Sequence, residues 1–161
     1  MRIVQRENNL MDFKILHALD IENHKEEMVI LMEMVLRDNI TQNYPSNQAE
    51  EYVKKIPRYI DDGSAIVTGA FANGNLVGFS WGYELTIFGE RRVHIDMIGV
   101  DQDSRKRGIA KKLIELQIDE TRKRGIRIIE AMITRDNENS YNWFRSMGFN
   151  DERIKVRRDL E

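Results

Sequence analysis

The chain has 161 residues, 41% of them apolar, a formal net charge of −2 and no cysteine. That length suits one domain with a real core. The near-neutral charge leaves no footprint for nucleic acid or an anionic membrane. The missing cysteines exclude disulfides, a cysteine metal site and a thiolate nucleophile.

A cytoplasmic location is expected, because a cysteine-free chain fits a reducing compartment. No apolar run reaches membrane-spanning length, and the N-terminus lacks a signal peptide's apolar core.

Residues 1–10 read as a loose terminus. The alternation of Phe13, Ile15, His17 and Leu19 predicts a first strand over residues 12–19. Asn23 with Glu26 three positions on forms a capping box, so a helix is expected to about residue 37. Its apolar face is Met28, Leu31, Met32 and Val35, with the methionines as core filling. Residues 39–46 read as a polar loop. A second helix over about 47–60 carries Tyr52, Val53 and Ile56 on its apolar side, and Pro57 is expected to kink or end it.

Asp62 and Gly63 break the chain. A strand over 64–72 meets Asn73-Gly74, a hairpin turn signal. The return strand, 76–88, contains Gly78 and Gly82, which mark a bend or bulge. A turn over 89–92 leads into a strand over 93–100. There His94, Asp96, Ile98 and Val100 share one parity, and Val93, Ile95, Met97 and Gly99 share the other. Two ionisable residues in so apolar a strand need partners or a function. A His–Asp pair on a solvated face is the plain reading, and proton transfer is the functional one.

The strand then runs into Arg105, Lys106, Arg107 and Gly108. Beyond them Ile109, Leu113, Leu116 and Ile118 recur at helical spacing. A helix start offers unpaired N–H groups and the positive end of the helix dipole. Gly108 lets a ligand approach the backbone closely. The junction therefore reads as an anion site that a pyrophosphate would fit, or as an ordinary turn with a solvated basic patch. It is neither a P-loop nor a dinucleotide fingerprint. The helix ends near Arg124-Gly125. Residues 126–133 read as a buried strand, parallel to 93–100 because a helix connects them. Asn137 caps a last helix that Gly148 ends, and 154–160 read as a basic final strand.

The motif Arg105-x-x-Gly108-x-Ala110, between a strand and an amphipathic helix, resembles the acetyl-CoA-binding motif of the GCN5-related N-acetyltransferases (GNAT). Residues 137–149, opening on Asn137 and closing on Gly148-Phe149, resemble the family's later helix, in matching order and spacing. The resemblance covers about residues 12–160. It implies a single mixed α/β domain, its sheet mostly antiparallel with a central splayed parallel pair, flanked by about four helices. It implies acetyl-CoA as cosubstrate, no metal, and direct acetyl transfer to a primary amine in a ternary complex. The acceptor would be a small molecule or a protein amine. No nucleic-acid or membrane partner is expected, and a homodimer is compatible with the resemblance.

Roles follow from the same resemblance. Backbone groups from Lys106 through Ile109 and Ala110 to Lys111, with Arg105, would hold the pyrophosphate. The strand residues Ile98, Gly99 and Val100 would face the pantetheine arm, and the N–H near Ile98 would polarise the thioester carbonyl. Lys111 and Lys112 are available for the nucleotide's 3′-phosphate. His94 would take the acceptor's proton at neutral pH, with Asp96 orienting it or binding the ammonium. A strand bulge is implied, with Gly99 as a host that would turn part of the strand over. Tyr44, Trp81, Tyr83 and Glu84 are candidate acceptor contacts. Asn137 would reach the pantetheine region. The chain departs from the pattern at Phe144, where many members carry a tyrosine that protonates the leaving thiolate. Tyr141, one turn earlier, or water would replace it. Phe144 also keeps open a second reading, a catalytically impaired acyl-CoA-binding module.

Overall fold

The structure, a computed structural model, describes residues 10–39 and 43–160. The expected loose terminus, apart from its last residue, and part of the 39–46 loop lie outside the described residues.

Five strands form one sheet in chain order: β1 (Met11–Ile15), β2 (Ala65–Ala72), β3 (Asn75–Ile87), β4 (Glu90–Val100) and β5 (Ile128–Ala131). The first four pair antiparallel, and β4 with β5 is parallel. Among the described residues five helices accompany them: α1 (Ala18–Asn23), α2 (Lys25–Asn39), α3 (Gln48–Asp61), α4 (Ile109–Lys123) and α5 (Glu138–Ser146). No helix among the described residues is long and apolar enough to cross a membrane.

The alternation of each strand sends its side chains into two layers. On one face Val67, Phe71, Phe79 and Trp81 pack with Met28, Met32, Val35, Val53 and Ile56 of α2 and α3. On the other, Ile66, Ala70, Val93 and Ile95 join clusters that include Ile109, Leu113 and Ile114 of α4 and Phe144 of α5. A buried polar clamp registers α4 on this second face. Gln117, fully buried, accepts from Ser80 Oγ at 2.6 Å and donates to the Ile66 carbonyl at 3.0 Å. Both bonds are made to the sheet, so the helix axis and its N-terminus are fixed against β2 and β3.

The expected elements shift in several places. The first strand ends at Ile15, because residues 18–23 fold as α1 instead. The Asp20 carboxylate reaches back to the His17 N–H at 2.9 Å, so the cap lies there and not at Asn23. Pro57 neither ends nor breaks α3, which runs on to Asp61. The second hairpin turns at Phe88-Gly89, both at positive φ, so β4 starts at Glu90. Residues 154–160 form no strand. Ile154, Val156 and Leu160 are exposed, and the neighbouring edge of β5 is only four residues long. The parallel pair consequently lies at the edge of the sheet, not at its centre.

Candidate active site

The site is built around β4. Opposite β3 its register slips by one residue: Trp81 pairs with Met97, but Gly82 pairs with Ile95. Asp96 is the extra residue, so the bulge is at Asp96 and not at Gly99. The slip breaks the expected parity. Val93 and Ile95 point toward α4, which leaves Arg92 and His94 on the α2–α3 face. Beyond the bulge Met97 and Gly99 take that face, while Ile98 and Val100 turn toward α4 and β1. A glycine opposite the bulge is required. A Cβ at Gly82 would lie 2.6 Å from Gln117 Nε2 and 2.9 Å from the His94 carbonyl.

The bulge also marks where β4 leaves β5. Their pairing covers Arg92–Ile95 against Ile128–Ala131 and stops there. The Asp101 N–H donates to the Val77 carbonyl on β3 at 2.8 Å. By alternation, the backbone groups of Ile98 and Val100 point the other way, to the open edge. The Val100 carbonyl accepts there from Arg105 Nε at 3.1 Å.

At the C-terminal end of β4 the turn through Gln102–Ser104 leads to Gly108, the N-cap of α4, at φ +74°. Lys106 is also left-handed, at φ +62°. The N–H groups of Ile109, Ala110 and Lys111 precede the first intrahelical bond, Lys112 N–H to the Gly108 carbonyl. The first turn of α4 holds no acidic residue. This end of the helix is polarised for an anion and nothing in its own turn opposes one. The Arg105 side chain spans to α2 instead, meeting Met34 Sδ at 3.1 Å and Asp38 at 3.4 Å.

At the bulge, His94 is buried. Its ring lies 5.4 Å from that of Tyr83 on β3. Its Nδ1 meets Glu130 Oε1 on β5 at 3.2 Å. The side chain that meets the His94 ring is thus Glu130, and no hydrogen bond joins His94 to Asp96. Arg92 Nη1 donates to the other Glu130 oxygen at 2.9 Å and to Glu152 at 2.6 Å, and its Nη2 donates to Glu90 at 2.6 Å. These three carboxylates hold the guanidinium firmly protonated. Asp96 reaches solvent but is crowded on its inner side. That partial desolvation pushes its carboxyl above the usual range, against a smaller opposing pull from His94. Desolvation likewise raises the Tyr83 phenol, helped by the charges of Asp96 and Glu130.

Aromatic rings continue along this face. Trp81, whose buried indole N–H has no partner among the described residues, packs edge-on to Tyr52 at 6.0 Å and stacked on Tyr59 at 6.5 Å. Tyr44 packs against the same core. His94, Asp96, Trp81, Tyr83 and Tyr44 are thus brought to one face. Glu84 is not: it lies on the α4 face, ion-paired with Arg91 at 2.6 Å. Asn137 caps α5 through the Ser140 N–H at 3.0 Å and bridges to Asn39 of α2 at 3.1 Å. Phe144 is buried between Trp143 and Phe149. Tyr141 is exposed and donates to Asp151 at 3.0 Å, which raises its phenol pKa. Among the described residues no cluster of three His, Cys, Asp or Glu side chains could hold a metal ion.

Glu130, Arg92, Gln117 and Tyr59 stand outside the sequence expectations, and Tyr52 enters them only on the apolar side of a helix. Glu130 and Gln117 carry a faint signal, a charged and an amide residue at positions where the strand and helix patterns ask for burial; Arg92, in an expected turn, and Tyr59 carry none.

The raised Asp96 carboxyl has a consequence for stability. The folded state binds that proton more tightly than the unfolded chain, so stability falls as pH rises through the interval between the ordinary and the raised value. At neutral pH, above the ordinary aspartate range, the penalty is present. Asp96→Asn is therefore expected to raise Tm at pH 7, and the gain should vanish below about pH 4, the ordinary aspartate range. Thermal unfolding at the two pH values checks this. An equal gain at both would mean that the charge of Asp96 is not the cause.

An open strand edge thus runs from a basic helix start to a buried imidazole. A sequence profile of the acetyltransferase (GNAT) family matches residues 32–149, and the chain belongs to that family. Comparison with curated protein sequences gave no match. Solved structures share the fold. The ribosomal-protein-alanine N-acetyltransferase of Brucella melitensis biovar Abortus 2308 superposes with a TM-score of 0.71 at 24% identity, over 94% of this chain and 100% of its own. The aminoglycoside N-acetyltransferase AAC(6')-Iy in complex with CoA gives 0.74 at 20% identity, over 93% and 95%. A predicted acetyltransferase from Clostridium acetobutylicum with acetyl-CoA gives 0.75 at 16% identity, over 94% and 97%.

Proposed function

We propose that this acetyltransferase moves an acetyl group from acetyl-CoA to a primary amine by direct attack in a ternary complex. The observation that carries this is the arrangement on β4. One strand presents a backbone edge that pairs with no strand beyond Ile95, an anion-ready helix start at one end and a His–Glu pair at the other. The edge from Asp96 to Val100 spans five residues, four steps or about 13 Å at the usual rise of a strand, a span suited to an extended, amide-bearing arm.

The residues present fit acetyl-CoA. The N–H groups of Ile109, Ala110 and Lys111, with those of the preceding turn, would face the pyrophosphate. Lys111 and Lys112, in the first turn of α4, would be available for a further phosphate. Ile98 and Val100 would bond the pantetheine amides as a neighbouring strand does. The thioester supplies an electrophilic carbonyl and a stable leaving group.

The acceptor arrives as an ammonium of ordinary pKa near 10.4 and must lose a proton before it can attack. His94 takes that proton, directly or through water. Asp96 attracts the ammonium to the bulge, and Tyr44, Trp81 and Tyr83 shape its approach. The amine nitrogen then bonds the carbonyl carbon while the Ile98 N–H stabilises the charge growing on oxygen. The C–S bond breaks and CoA leaves as a thiolate. Water carries the second proton of the attacking nitrogen to the thiolate, since Phe144 has no proton to give and the Tyr141 hydroxyl is committed to Asp151.

Initial rates at varied acetyl-CoA and amine test the direct route. A ternary complex gives intersecting double-reciprocal lines. Parallel lines would mean an acyl-enzyme and would overturn direct transfer.

A further inference from the structure

Glu130 and His94 face each other in the parallel register of β4 and β5. The two oxygens of Glu130 are divided between two groups: Oε1 to His94 Nδ1 and Oε2 to Arg92 Nη1. Arg92 is itself held by Glu90 and Glu152, so it is anchored independently of Glu130. An ionised carboxylate accepts only. A neutral imidazole facing it must therefore carry its proton on Nδ1, which leaves the lone pair on Nε2. No other described group bonds that ring.

We infer that Glu130 is a positioning residue for acetyl transfer, holding His94 in the Nδ1–H tautomer so that Nε2 is the basic nitrogen offered to the acceptor amine. This rests on His94 being the proton acceptor proposed above. Arg92 serves the pair by pinning the carboxylate in place.

The chemistry singles out an unusual order of variants. In Glu130→Gln the amide oxygen is drawn to Arg92, because a guanidinium can only donate. The amide NH2 is then turned toward His94 Nδ1, which must become an acceptor. The ring proton moves to Nε2, and the base is blocked. Glu130→Ala leaves Nδ1 without a partner and both tautomers accessible. The near-isosteric glutamine is therefore more damaging than alanine. A purely structural role predicts the reverse.

The experiment measures kcat, KM for acetyl-CoA and the ring 15N shifts of His94 in wild type, E130A and E130Q, with circular dichroism as a check on folding. Expected are kcat values falling from wild type to E130A to E130Q, the last by about 100-fold, within the range of general-base catalysis, and an unchanged KM for acetyl-CoA. The ring should be Nδ1–H in the wild type and Nε2–H in E130Q. A neutral wild-type ring protonated on Nε2, or a kcat for E130Q at or above that of E130A, overturns the inference. Retained turnover in His94→Ala would instead sink the proton-transfer reading, and the ring spectra would still decide whether Glu130 fixes the tautomer.

Discussion

Replacing His94 by alanine is expected to lower kcat by about 10²- to 10⁴-fold, the usual worth of a positioned general base, with KM for acetyl-CoA changed little. His94 lies at the bulge, where β4 and β5 separate, whereas the cofactor's proposed contacts run from Ile98 to Lys111. Loss of the ring should remove proton transfer without disturbing those contacts. The deficit should shrink at high pH, as more of the acceptor arrives already neutral, because free amine needs no base. A pH–rate profile of wild type and variant with one amine measures this. An unchanged kcat would take His94 out of the chemistry.

Gly108→Asp should act on the other end of the site. At φ +74° a side chain is strained, at a cost of about 1–2 kcal/mol for an ordinary residue, but aspartate is among those that visit this region. A Cβ there meets nothing within 4 Å, so the fold should survive. The added carboxylate would stand at the N-terminus of α4, where the pyrophosphate is proposed to sit. Two unit charges about 4 Å apart repel by about 4 kcal/mol near a protein surface. Allowing for solvent, a loss of about 100-fold in acetyl-CoA affinity is expected, with Tm within a few degrees of wild type. Calorimetric titration of acetyl-CoA reads it. Undiminished affinity would move the anion site elsewhere.

Much of this arrangement is legible in the chain itself. The strand–turn–helix through Gly108 announces itself by a change of hydrophobic period beside a cationic glycine turn. The Asn73-Gly74 hairpin and the parallel β4–β5 pair follow from local turn chemistry and from the helix that joins the two strands, while the splay between them is expected only from the family resemblance. What stays hidden depends on partners distant in sequence. The bulge at Asp96 is set by Gly82 across the sheet, where Gln117 and the His94 carbonyl leave no room for a Cβ. Glu130 acquires its meaning only through the register that places it opposite His94. The α1 segment misled because His17 and Leu19 continue the strand's alternation, while the deciding bond comes from Asp20. The 154–160 segment has strand-like alternation, but the edge strand β5 offers only four residues and the segment does not pair with it.

The most direct test of amine acetylation is thermal stability and CoA release with acetyl-CoA across a panel of amines. Acetyl transfer at this site predicts stabilisation by acetyl-CoA alone and thiol release that depends on at least one amine. Stabilisation without release from any amine would contradict catalysis and favour an acyl-CoA-binding module. No stabilisation at saturating acetyl-CoA would contradict the cofactor site itself.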